Sequence, residues 1–483
     1  MGEFPSVVAA ACLTLEFVFA SSAVSRSWGD KVVEYIQNNI SKNDAEKSAS
    51  WILSYVDPGY GLNPMAFVIS ASAVALLLNG VKESKRVTNF FTALKVALVL
   101  FMSFGALAFF RRENLNPLIP AQFGVAGILR GTTSSFFGYI GFDDICCMGG
   151  EAINPSKTLP KAVLGTIAIV TVLYMFAALA LVGMVPYGDV SVTSAFPDGF
   201  HYNGCEWAAQ ITAIGELVTL PIVILVSIMA QPRLQFAMAV DGLLPPIFGH
   251  IDEHGNLWYG TLCAGLIMVV IATCVPFTML DDLISAGTLL AFCLTDTCVI
   301  LLRHSSPKGR PLFLEKAIGC FYILAFSFGL LLKHFPTTDS GKYTVLLIGF
   351  FLIAISIIVS LSCPKVDTIG GTFFETPFVP YLPFFGVALN FYLIGQLEAR
   401  GLLLLVLYLG LAVFFYVCYR AVGHASGSRM HESHDDEQDE EFKRMTQKMI
   451  SSPRVRKDEC STATEESTIH GVTSMASTIK SIV

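Results

Sequence analysis

Apolar residues in this chain come in blocks of about twenty, not in the alternation of half-buried strands or the narrow stripe of a soluble amphipathic helix. A helix rises 1.5 Å per residue, so a block of that length crosses roughly 30 Å of hydrocarbon with every backbone polar group satisfied internally. Twelve such segments are predicted, at about residues 4–25, 64–80, 90–110, 125–149, 160–185, 207–230, 258–276, 282–302, 315–333, 343–362, 379–397 and 402–420. The expected fold class is therefore all-α: a polytopic membrane protein of about 12 transmembrane helices. The first block reads as a true span, not a cleaved signal, because Glu3 and Glu16 flank or interrupt it and no basic stretch precedes it.

Composition agrees with this reading. Hydrophobic residues make up 53% and charged residues 14% of the 483 positions, and the mean hydropathy is +0.61. A soluble globule carries nearer a quarter charged residues. Lys and Arg near the spans favour cytosolic termini modestly, 13 inside against 9 outside, and Asn39-Ile40-Ser41 forms a glycosylation sequon in the first outer loop of that topology. The cysteines lie mostly in spans and imply no extracellular disulfide framework.

The two expected regions are a transmembrane domain over residues 1–420 and a disordered cytosolic tail over 421–483. The tail passes from an acidic run (Glu432 to Glu441) through a basic patch (Lys443 to Lys457) to a Ser/Thr-rich end. Ser452-Pro453, beside Arg454 and Arg456, is a candidate phosphorylation site, and the tail a candidate surface for regulatory partners. The net charge of −7 owes much to this tail and indicates no nucleic-acid partner.

Charges and helix breakers at membrane depth are costly, so each is a candidate for function. In GTTSSFFGYIGFDDICCMGG, Gly138 and Gly141 bracket an aromatic turn followed by Asp143 and Asp144. Each glycine weakens a helix by about 1 kcal/mol relative to alanine, and a broken helix frees carbonyls for a cation or an ammonium group. A glycine packing face between helices is the alternative, which the paired aspartates disfavour. Lys95, alone in NFFTALKVALVLF, is either a coupling or fixed cation, or a side chain that snorkels to the interface. Glu16, Glu216 and Asp296 lie within spans as candidate counter-charges or proton carriers, with a structural or solvated role equally open. No metal-ligand spacing, phosphate-binding loop or hydrolase motif occurs, so neither a metal, a cofactor nor enzyme chemistry is indicated.

GYIGFDDICCMGGEAINPSKTLPKAV resembles the sixth-helix signature of the cationic amino-acid transporters in the amino-acid/polyamine/organocation superfamily. QPRLQFAMAVDGLLPPIF resembles that family's segment after helix eight, SAGTLLAFCLTDTCVILLRHSSP its helix ten, and GVKESKRVTNFFTALKVALV its turn into helix five. The resemblance runs in order to about residue 420. It implies a five-plus-five inverted-repeat (LeuT-like) transporter that moves amino acids by alternating access, with arginine, lysine or ornithine favoured. It further implies that Gly138, Tyr139, Ile140, Gly141, Phe142 and Asp143 form the substrate-binding break, with Tyr139 or Phe142 gating the side chain. Lys95 then stands where relatives hold sodium, Glu16 matches a third-helix glutamate, and Gln231 to Asp241 form a cytosolic elbow. A multi-pass protein of the plasma membrane is expected, with a vacuolar or endosomal membrane as the alternative. Its expected partners are the small-molecule amino-acid substrate and membrane lipid.

The sequence departs from the pattern at Gly150, where a glutamate is usual, and at Asp144 and Asp296, where small or apolar residues are usual. Its first span resembles helix three, so helices one and two are expected to be absent and the transport site to be half formed. A non-transporting membrane sensor, or an inactive truncated relative, is the competing expectation.

Overall fold

The computed structural model describes residues 3–40, 55–56, 58–59, 61–80, 85–147, 149, 152, 154–191, 193–252, 256–333, 339–366 and 375–426. Among these the regular structure is helical, apart from one isolated bridge between His304 and Lys365. The elements are α1 (Glu3–Thr14), a π-helical turn (Leu15–Phe19), α2 (Ala20–Ile40), α3 (Pro64–Leu78), α4 (Lys85–Leu107), α5 (Gly124–Phe136) and α6 (Asp144–Cys147). They continue with α7 (Pro155–Met184), α8 (Ala195–Tyr202), α9 (Glu206–Ile228), α10 (Ala230–Val240), α11 (Trp258–Cys274) and α12 (Phe277–Arg303). The last four are α13 (Phe313–Lys333), α14 (Asp339–Ser362), α15 (Tyr381–Gln396) and α16 (Ala399–Ser426). The rest of the predicted tail lies outside the described residues.

Each of the twelve predicted segments coincides with a helix or a broken helix, although only eight described helices are both long and apolar enough to cross a membrane. The others have physical reasons for falling short. The shorter α3 and α11 are apolar but have 15 and 17 residues, the fourth segment is interrupted between α5 and α6, and α15 has 16 residues.

Local chemistry sets the helix ends. Asn63 caps α3, its Oδ1 accepting from the Ala66 amide at 2.9 Å with Pro64 at the first helical position. The first helix outruns its expected end at residue 25, because polar residues on α2 find fixed partners and do not require a loop. Arg26, 8% exposed, donates from Nε to Asp30 Oδ1 at 3.2 Å and from Nη1 to the carbonyls of Gly61 and Thr273 at 3.0 and 3.1 Å. Trp28 Nε1 donates to the Leu217 carbonyl at 2.9 Å. Asn39 thus sits in the last turn of α2, and Ser41 of its sequon lies outside the described residues.

The chain divides into two compact units, one of Ala9–Tyr408 and one of Met1–Val8 with Leu409–Val483. In the smaller unit, Glu3 Oε2 accepts from Tyr416 and pairs with Arg420, both at 2.6 Å. In the larger unit, one apolar core gathers Leu289, Phe321, Phe384 and Phe391 from α12, α13 and α15, with the Phe321 and Phe384 rings 4.5 Å apart. A second joins Val18, Ile224, Ile228 and Met268. The most hydropathic windows of the first helix and of α12 are 61% buried, against 17% for α14 and α16. Glu16 and Arg26, on the first helix, are accordingly among the buried charge-bearing residues.

Helices α13 and α15 touch backbone to backbone. A Cβ on Gly395 would stand 2.7 Å from the Gly329 carbonyl carbon, leaving no room for a side chain. Gly395→Val should cost about 1–3 kcal/mol by overpacking and lower the thermal unfolding midpoint of detergent-purified protein, read by size-exclusion chromatography after heating. Gly319→Val on the same α13, where an added Cβ meets nothing within 4 Å, should not. Equal midpoints for the two variants would contradict this packing.

Candidate functional site

The α5–α6 segment breaks where the glycines predict. After α5 the chain makes a short 3₁₀ turn (Phe137–Tyr139), extends at Ile140 and passes through Gly141 at φ +98° before α6 begins at Asp144. A residue with a Cβ is strained at that angle, and one on Gly141 would also lie 3.4 Å from Asp144 Oδ2. Aromatic contacts brace the break. Phe292 of α12 packs against Phe136 before it and Phe142 after it, with centroids 6.1 and 5.6 Å apart. Phe137 meets Phe277 at 5.4 Å, and Tyr139 meets Tyr174 of α7 at 5.5 Å. A Cβ on Gly138 would press on that same Tyr174 ring at 3.3 Å.

Glu16 enters from the other side, on the π-helical turn between α1 and α2. A widened turn of this kind commonly marks a functional position, since it re-aims one side chain at the expense of regular bonding. Glu16 is 1% exposed, and both of its carboxylate oxygens are buried without a hydrogen bond. The groups facing it are the Gly141 backbone and the carboxyls of Asp143 and Asp144. One carboxylate oxygen from each of Glu16, Asp143 and Asp144 lies within 4.8 Å of the others. The Oδ1 atoms of Asp143 and Asp144 are also buried and unbonded. Among the described residues, no Lys, Arg or His forms an ion pair with any of the three. Two unit charges 4.8 Å apart repel by about 3 kcal/mol at an effective dielectric constant of 20. The cluster therefore calls for positive charge.

The remaining sequence candidates gather elsewhere. Lys95 on α4 is half-buried, with no hydrogen bond or ion pair among the described residues, and the carboxylate acting on it electrostatically is Glu216 of α9. Glu216 is not free in water: Lys31 Nζ of α2 pairs with its Oε2 at 2.6 Å and donates to the Thr193 carbonyl at 2.8 Å. Asp296 lies against Gly386 of α15 and takes no part in the carboxylate cluster. The elbow forms α10, whose Gln231, 1% exposed, donates to Thr14 Oγ1 at 3.1 Å, two residues before Glu16.

Sequence reasoning treated Asp144 as a departure from the family pattern, not as part of the site. Its neighbour Asp143 was the available signal. The convergence with Glu16 was hidden, since that residue comes from a distant span and is aimed by a π turn without sequence signature.

A helical bundle of this kind, with a braced helix break and buried carboxyls at the break, has the form of a multi-pass membrane transporter. Residues 1–359 match the amino acid permease family, and residues 374–423 match the C-terminus of those permeases. The chain belongs to that family. It is 30% identical to the methylthioribose transporter of Bacillus subtilis (strain 168) over 65% of this chain and 67% of the relative. It is 31% identical to the branched-chain amino acid permease BcaP of the same organism over 66% and 68%. It is 27% identical to cationic amino acid transporter 6, chloroplastic, of Arabidopsis thaliana over 88% and 73%.

Gly141→Leu should abolish amino-acid binding by purified protein while surface expression stays intact, because a side chain at φ +98° reshapes the break. Binding at the wild-type level would remove the break from the site.

Proposed function

We propose that this chain is a secondary transporter that moves cationic amino acids, with arginine, lysine and ornithine favoured, by alternating access around the α5–α6 break. The observation that carries this reading is Glu16, buried with both oxygens unbonded and facing Asp143 and Asp144. The names of the relatives span methylthioribose, branched-chain and cationic substrates, so family membership alone leaves the side-chain preference to the site. Three carboxylates suit a guanidinium or a terminal ammonium and penalise an apolar side chain, which would leave them unpaired.

Each residue then has a role. The carbonyls freed over Gly138 to Phe142, with the Asp143 carboxyl beside them, receive the α-ammonium, while Tyr139 and Phe142, held by Tyr174 and Phe292, gate the side chain. Lys95 serves as a fixed cation where a coupling ion would otherwise sit, with Glu216 offsetting its charge. Helix α10 docks beside the inner end of the first helix through Gln231. Cytosolic termini fit the modest bias of Lys and Arg, the plasma membrane is the favoured residence, and the tail is the surface offered to regulatory partners.

Two experiments test this reading in a transport-deficient host. Labelled arginine uptake should fall at least tenfold in Glu16→Gln and in Asp143→Asn at unchanged surface expression. Uptake equal to wild type in both variants would refute the cationic site. Replacing sodium with choline should leave wild-type uptake unchanged, and Lys95→Ala should lose activity or acquire an ion requirement. A strict sodium requirement in the wild type would refute the fixed-cation role.

A further inference from the structure

We propose that Glu16, Asp143 and Asp144 form a binding site for a hard divalent cation of the calcium class, which occupies the cluster when no cationic side chain does. Two observations carry this independently. The first is geometric: carboxylate oxygens from the three residues all lie within 4.8 Å of one another. Ligands about 2.3–2.6 Å from one calcium ion lie at most about 5 Å from each other, so three oxygens this close can share one ion. The second is Glu16 itself. It comes from a different helix, is 1% exposed, has neither oxygen in a hydrogen bond of regular geometry, and faces the two aspartates and the Gly141 backbone. A buried carboxyl so placed is neutralised by a proton or by a cation, and three carboxyls sharing one space favour a single divalent ion over three separate protons.

The donor set selects among cations. The ligand atoms are carboxylate oxygens alone, which favours calcium, magnesium or manganese over the thiolate- and imidazole-seeking metals. Magnesium demands near-ideal octahedral geometry and keeps most of its water, whereas calcium tolerates irregular sets of six to eight oxygens. Asp143 and Asp144 are adjacent in the chain and cannot approach one ion along symmetric directions, which also favours calcium. Main-chain carbonyls freed at the break are available to complete the shell.

Asp144 is the residue that converts a pair into a triad, since the resembled signature has a small or apolar residue at its position. The ion site stands on carboxylate geometry and does not depend on the chain transporting arginine. Where both ligands bind, they compete for the same oxygens.

The test is equilibrium binding of ⁴⁵Ca²⁺ to the detergent-purified full chain at neutral pH. One saturable ion per protein is expected, displaced by Mn²⁺. Glu16→Gln and Asp144→Asn should each weaken it at least tenfold, Asp144→Glu should restore it to within about threefold of wild type, and Asp296→Asn should leave it unchanged. The nearly isosteric replacements keep the bundle intact, and a monodisperse size-exclusion peak with native helical circular dichroism checks this for every protein used. Absence of saturable binding, as expected if the triad is neutralised by protons alone, would overturn the proposal. Binding that persists at full strength in both Glu16→Gln and Asp144→Asn, as for ions held on the surface, would overturn it equally.

Discussion

Three carboxylates held within 4.8 Å of one another, with Glu16 wholly removed from solvent, place a demand on everything around them. Repulsion of about 3 kcal/mol per charged pair is large beside the marginal stability of a folded chain. The fold must hold the groups together against it. Glu16 is fixed by the π turn and by Leu15, which packs so tightly on α12 that a Cβ on Gly287 would stand 2.7 Å from its Cδ1. Asp143 and Asp144 are fixed by the break, with Phe292 clamping its two sides. A structure that retains such an arrangement is built to receive positive charge.

The second charged group of the bundle is arranged differently. Glu216 serves two cations, pairing directly with Lys31 and acting at longer range on Lys95. The larger unit therefore separates the unpaired carboxyls at the break from a mixed-charge region between α2, α4 and α9, where lysines and carboxylates offset one another. On the proposed reading, a substrate with a cationic side chain is drawn to the first and gains nothing from the second.

Much of this was legible in the sequence, for identifiable reasons. Hydropathy located the spans because lipid admits few chain conformations, and Gly138, Gly141 and Asp143 announced the break because breakers and charge at depth are expensive. The sequence was less informative wherever a polar residue found a partner far along the chain. Arg26 and Lys31 read as loop cations, yet they lie on a helix whose polar side chains bond Thr273 and Glu216. For Glu216 the sequence left a counter-charge, a proton carrier and a solvated carboxylate equally open for the same reason. The π turn at Glu16 left no mark in residue identity, so its convergence on Asp144 emerged only from the fold. Helix α10 shows the opposite case: the resemblance placed it, and the Gln231–Thr14 bond gives that placement a physical anchor.

The central claim is that the charge of the substrate side chain, not its size or its hydrogen-bonding capacity, is what the triad at the break reads. Displacement of labelled arginine from the purified full-length protein by unlabelled arginine and by citrulline isolates that variable, because citrulline has nearly the same shape but replaces the guanidinium with a neutral ureido group. The account predicts that citrulline displaces arginine only at concentrations at least a hundredfold higher than unlabelled arginine requires. Comparable displacement by the two would contradict it.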